Sequence, residues 1–433
     1  MRRLLIVSPH FPPLNAPDMQ RVRMSLPYYR ACGWEPVVLA VRDDRQVGVR
    51  EPGLLGTIPP DVTVLRANAV APRLARRLGI GNIGLRAWFG LWRAGSSYLR
   101  RHPCDLVFFS TTQFFTFTLG PLWRRRFGVP YVLDFQDPWL TDFYERPGAP
   151  RPPGGWKYRF AHAQARLLEG ACVRRAAGLI SVSPDYIADL AARHPSVRAL
   201  PSAVLTFGAS PEDLALARSL PGGDPWVREA GQVHIVYTGA AGPVMPQALA
   251  VLFAALRRYR DRFPARAARL RLHFVGTSYA APGSGTPSVL PIARACGVED
   301  LAEETPHRIG YLEAARLQQA ADVLLLLGSS DPAYSPSKVY LYFLSGRPML
   351  ALVFRGSVME RLLDELNCAT LIRLQPGATP GAPPPELEAF FDAALDGFPP
   401  GTLPERREAH FRARYLAGEL TRRQCELFDA ALR

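Results

Sequence analysis

Lysine is nearly missing from this 433-residue chain: among 52 basic residues only Lys157 and Lys338 are lysines. The arginine that replaces it comes with abundant alanine and proline, the mark of a GC-rich genome, and is given no functional weight. The net charge of +14 still favours anionic partners such as phosphates, acidic lipid or nucleic acid. Cysteine is sparse and scattered: Cys32, Cys104, Cys172, Cys296, Cys368 and Cys425 form no CxxC pair. That spacing argues against a zinc site and a disulfide framework, and for a reducing compartment. No apolar run reaches the roughly 18 residues that a membrane-spanning helix needs. The opening run after Arg2 and Arg3 is stopped by His10, Phe11, Pro12 and Pro13, too early for a signal peptide. The expected location is cytoplasmic. Also missing are a glycosidase-type carboxylate pair, GxSxG, HExxH and the GK[ST] of a phosphate-binding P-loop, which removes several hydrolase classes.

At this length, with 48% apolar and 21% charged residues, two soluble domains are expected. Short continuous apolar runs at 4–8, 36–41, 62–66, 106–110, 131–135 and 179–182 read as strands, with a helix over 21–32. Continuous rather than alternating apolarity is what parallel strands covered on both faces show. The pattern restarts with strands at 234–238, 270–275, 308–310, 323–327 and 349–353, separated by helices such as 247–263 and 314–320. The fold class is therefore α/β, with two Rossmann-like doubly wound domains facing a cleft. Boundaries fall at 1–207, a Gly/Pro/acid-rich linker at 208–232, a second domain at 233–400, and 401–433 as a terminal helix crossing back to the first domain.

Three segments carry chemistry. In 331–350, DPAYSPSKVYLYFLSGRPML, Ser335 and Ser337 could cap a helix whose free N–H groups suit a diphosphate, with Lys338 adding a full charge. In 237–246, YTGAAGPVMP, Gly239 and Gly242 allow close backbone approach to phosphates. In 131–139, YVLDFQDPW, Asp134 and Asp137 are expected just beyond a strand end, facing the cleft. Asp137 is the first candidate acid–base residue and His10, after the first strand, the second. An ordinary capping aspartate and a packed histidine are the alternatives. The stretch 71–103 has arginines, no acid, and Trp88, Phe89 and Trp92. It reads either as a solvated helix with one core face or as a peripheral membrane contact. No nucleic-acid-binding module is recognisable.

The 331–350 segment resembles the donor-site helix of family-4-type bacterial glycosyltransferases of the GT-B fold. Lys338, Tyr342, Gly346 and Pro348 fall on the pattern Ser/Pro–x–Lys–x–x–Glu–Tyr–x–x–x–Gly–x–Pro, while its glutamate falls on Leu341. The opening segment and YVLDFQDPW are similar to the same family, and the loop after Gly239 lacks the family's arginine and lysine. The resemblance implies transfer of a sugar from a nucleotide-diphosphate sugar to a hydroxyl of a glycan or lipid-linked acceptor, with retention. It implies no metal and no cofactor beyond the donor itself. Gly239, Gly242, Ser335, Ser337, Lys338 and Tyr342 would then hold the donor. Arg21 and Arg23 would serve the phosphate or acceptor side, with Asp137 and His10 as catalytic groups. The departures at Leu341 and after Gly239 leave open a catalytically inactive binding protein.

Overall fold

The computed structural model describes residues 1–77, 79–141, 155–221, 225–242, 245–278, 280, 283–329, 337–376 and 383–433. The chain divides into two units, Met1–Gly208 with Ala417–Arg433, and Ala209–Leu416. The first is built on β1 (Arg2–Val7), β2 (Trp34–Val41), β3 (Thr63–Ala67), β4 (Leu106–Ser110), β5 (Tyr131–Phe135), β6 (Gly178–Ser181) and β7 (Ser202–Val204). Their order is β3-β2-β1-β4-β5-β6-β7, every pairing parallel. Parallel strands need covering on both faces, and they obtain it here. Leu5, Val7, Phe109 and Leu133 face one apolar layer with Trp123 and Tyr131. Leu4, Ile6, Phe108 and Val132 face another.

The second layer is closed by the C-terminal helix Ala417–Ala431. Its Phe428 ring sits 5.0 Å from Phe108, 5.6 Å from Trp34 and 6.3 Å from Tyr29. The tail is thus two helices, not one. Glu408–Tyr415 belongs to the second unit, where Phe411 stacks on Phe343 at 4.0 Å. Leu416, in an extended conformation, breaks the two apart.

The second unit holds β8 (Val233–Thr238), β9 (Leu270–Val275), β10 (Ala302–Thr305), β11 (Val323–Leu327), β12 (Met349–Phe354) and β13 (Thr370–Leu374). The order is β10-β9-β8-β11-β12-β13, again all parallel. Both sheets therefore reverse direction beside their first strand, at β1/β4 and at β8/β11. In open parallel sheets such switch points leave a crevice beyond the strands' carboxyl ends, where ligands bind.

Several boundaries differ from the sequence reading. Residues 308–310 form no strand; the pairing strand is β10, whose AEET sequence suits a solvent-facing edge. β7 and β13 were not read as strands. The helix expected over 21–32 runs only from Gln20 to Ser25, followed by turns and a short 3-10 segment, because Pro27 has no N–H to continue it. The segment read as a linker carries the helix Pro211–Ser219, whose Leu214 carbonyl accepts from Gln319 at 3.2 Å.

Candidate functional site

The carboxyl ends at the β1/β4 switch point gather the polar groups of the first unit. His10, three residues past the end of β1, places Nδ1 2.9 Å from Asp18 Oδ1. Thr111, just beyond β4, donates its hydroxyl to Asp18 Oδ2 at 2.8 Å. Burial alone would push the Asp18 carboxyl up; the charge and hydrogen bond of His10, with those of Thr111 and the Thr112 backbone, more than offset this. The net result holds Asp18 below the ordinary carboxylate value. Asp18 is buried and absent from the sequence reading. Its only signal there was a carboxylate in the loop following the first strand.

Asp137, exposed beyond the end of β5, stands in the same region. Desolvation by the surrounding protein, joined by the negative charge of Asp18, pushes its carboxyl up to about 6. Both causes act in the same direction.

Arg21 and Asp134 take a different role from the one expected. The Arg21 guanidinium donates through Nε to Asp134 Oδ2 at 2.7 Å and through Nη2 to the Leu205 carbonyl at 2.7 Å. Both side chains are at most 3% exposed. Ser110 Oγ and Gln136 Nε2 donate to the same Asp134 oxygen at 2.7 and 3.0 Å. Arg21 is a buried strut between strands, not a phosphate ligand, and Asp134 lies within β5 rather than beyond it. Arg23 is also buried and donates through Nε to Gln20 at 2.8 Å. Helical spacing around Gln20–Ser25 turned both arginines inward, which composition could not reveal.

In the second unit the β8/β11 switch point brings together the glycine loop and the single lysine of that domain. Gly239 follows β8 with φ of +109°, a conformation open to glycine. A Cβ placed there would lie 3.0 Å from Lys338 Nζ. Gly242, at φ +77°, passes so close to Ser288 that a Cβ would meet its Oγ at 2.3 Å. Lys338 opens the helix Lys338–Ser345 after β11 and lays its ammonium 3.8 Å from the Tyr237 ring centroid. The residue is half-buried, and desolvation lowers its pKa to about 7.

Tyr342, expected at the donor, is instead buried beneath the loop. Its hydroxyl accepts from the Thr238 backbone N–H at 2.9 Å and lies 3.1 Å from Thr238 Oγ1. Gln318 Nε2 donates to that same Oγ1 at 2.9 Å. Tyr342 thereby fixes the end of β8 from below, and burial pushes its phenol up to about 12. Ser337 stands at the N-cap position but in helical conformation, with no side-chain capping bond. Ser335 lies outside the described residues. Leu341 is buried at 6% exposure, so its helix position turns into the apolar interior.

The stretch 71–103 forms helices Pro72–Arg77 and Ile83–Arg101. Trp88 and Trp92 pack on the core of the first unit, and Trp88 Nε1 donates to Thr118 at 2.7 Å. Arg86 is buried against the Val70 and Arg45 carbonyls. Phe89 remains 62% exposed. No described helix is long and apolar enough to cross a membrane.

Residues 20–208 match the family profile described as a glycosyl transferase 4-like domain. No curated protein matches the chain in sequence. Among solved structures, the chain is similar to HepE of Anabaena in complex with UDP and glucose, at 15% identity and TM-score 0.57. The match covers 98% of this chain and 99% of that one. It is similar to an α,α-trehalose-phosphate synthase (UDP-forming) from Burkholderia xenovorans in complex with glucose-6-phosphate. Identity is 12%, coverage 99% and 100%, and TM-score 0.58. WaaG, a glycosyltransferase involved in lipopolysaccharide biosynthesis, gives 14% identity, 99% and 97% coverage, and TM-score 0.52. At these identities the likeness speaks for the fold, two Rossmann-like domains of GT-B type. Residues 20–208 belong to the glycosyl transferase 4-like domains, and the chain is a glycosyltransferase.

Proposed function

We propose that the protein transfers a sugar from a nucleoside-diphosphate sugar to a hydroxyl of a growing glycan or lipid-linked acceptor, with retention and without a metal. The observation that carries this reading is Lys338, whose ammonium rests against Gly239 and over Tyr237 at the β8/β11 switch point. A partly desolvated amine at a helix N-terminus is suited to the charge that develops on a departing diphosphate. The bond between the anomeric carbon and the diphosphate oxygen breaks, and the acceptor oxygen takes its place on that carbon. In the first unit, Asp137 holds the acceptor hydroxyl and takes its proton, while the His10–Asp18 pair offers a fixed hydrogen-bonding group beside it. The protein works on the cytoplasmic side, in peripheral contact with a membrane. This reading is tested by a thermal-shift and turnover screen of UDP-, GDP-, ADP- and dTDP-sugars. One nucleotide class should stabilise the protein and release its diphosphate; no response to any member would overturn it.

A second reading, a binding protein that keeps the fold without turnover, is favoured by one observation. Leu341, which stands where the resembled family carries a glutamate, is buried and apolar. It predicts nucleotide binding without diphosphate release, or no nucleotide binding at all, in the same screen.

A further inference from the structure

The helix Trp156–Val173 of the first unit carries an exposed apolar stripe. Ala165, Glu169 and Cys172 turn inward, and Glu169 pairs there with Arg193 at 2.9 Å and His194 at 3.1 Å. On the opposite side, at spacings of four, three and four, lie Trp156, Phe160, Ala163 and Leu167. Trp156 is 69%, Phe160 60% and Leu167 77% exposed. Such spacing puts them on one face. Exposed Arg159 and Arg166 lie along one side of the stripe, and the helix's one acid is the buried Glu169.

The Trp156 end of the stripe borders a second element. The Trp156 ring reaches to 4.0 Å from the Cβ position of Gly79, just past the helix Pro72–Arg77. That helix exposes Leu74 at 52%, with Arg73, Arg76 and Arg77 exposed around it and no acid in its sequence. Exposed apolar area is common on proteins, but a row of large exposed side chains on one helix face with arginines alongside is more than scattered surface apolarity.

We infer that this face, formed by Trp156, Phe160 and Leu167 with Leu74 beside them, lies in the interface of an anionic lipid bilayer. The chemistry selects that occupant. An interfacial helix buries its apolar stripe at the headgroup boundary while arginines meet lipid phosphates, and an aromatic residue anchors its end. The net charge of +14 adds long-range attraction to such a surface. The inference rests on the proposed membrane contact but moves it from the Trp88–Trp92 face, which is core, to the helix Trp156–Val173.

Flotation of the full chain with phosphatidylcholine vesicles, with and without 30 mol% (about one lipid in three) phosphatidylglycerol, tests it. Wild type should float with the anionic vesicles and remain in solution with neutral ones. The double variant Phe160→Asp, Leu167→Asp should lose about tenfold or more in partitioning. Its melting temperature and nucleotide-induced thermal shift should be unchanged, since both sites are exposed and outside the donor loop. Phe89→Asp should leave flotation intact. Unchanged flotation of the double variant, flotation lost only with Phe89→Asp, or a protein dimer that the double variant dissolves would each overturn the inference. Because nucleotide response is read separately, failure on vesicles is distinct from failure of the glycosyltransferase reading.

Discussion

The ammonium of Lys338 lies 3.8 Å from the centroid of the Tyr237 ring, over the end of β8. A cation so placed is attracted to the ring's electron-rich face, yet desolvation lowers its pKa to about 7. Around neutral pH the amine is therefore divided between charged and neutral forms until an anion arrives.

Nucleoside-diphosphate binding should follow from this with a definite sign. Bound diphosphate favours the ammonium and raises its pKa above 7. Below pH 7 both free and bound protein carry the proton, so affinity is level. Above pH 7 binding must take up a proton, and affinity falls as pH rises. Calorimetry across roughly pH 6–9 in buffers of different ionisation enthalpy measures both the fall and the proton uptake. A pH-independent affinity would remove Lys338 from the phosphate site.

Asp137 titrates near 6 because desolvation and the Asp18 charge oppose its ionisation. As an acceptor of the substrate proton it acts as the carboxylate, so turnover should rise with pH through about 6. Asp137→Asn should lower turnover by about a hundredfold and abolish that limb. Stability moves the other way. With the folded pKa raised above 3.8, the native carboxylate loses stability as pH climbs from about 4 through 6, so the asparagine variant should melt no lower than wild type at pH 7. A variant with full activity and an intact limb would return Asp137 to a structural role.

The buried Arg21–Asp134 pair should behave as framework. Removing one partner strands the other charge, so Arg21→Met or Asp134→Ala should cost about 3–5 kcal/mol in chemical denaturation. An Arg21 variant of normal stability but weakened nucleotide binding would restore the phosphate role.

The strand pattern was legible because doubly covered parallel strands are written as continuous apolar runs, as in Leu106–Ser110 and Val323–Leu327. Where a strand lies at an edge, as in β7 and β10, its residues are short or polar and that signal fades. His10, Gly239, Gly242 and Lys338 were legible from their positions after strands. Asp18 was not, because its pairing with His10 and Thr111 joins two loops distant in sequence. The direction in which a helix turns its arginines decided the rest. Arg21 and Arg23 look like anion ligands in a basic chain until burial shows them serving the interior.

The account's central claim is that Lys338 stabilises the departing diphosphate. It is tested most directly by diphosphate release from the preferred donor in wild type and Lys338→Ala, at matched melting temperature. The predicted result is a loss in turnover of about 10² to 10³; turnover equal to wild type would contradict it.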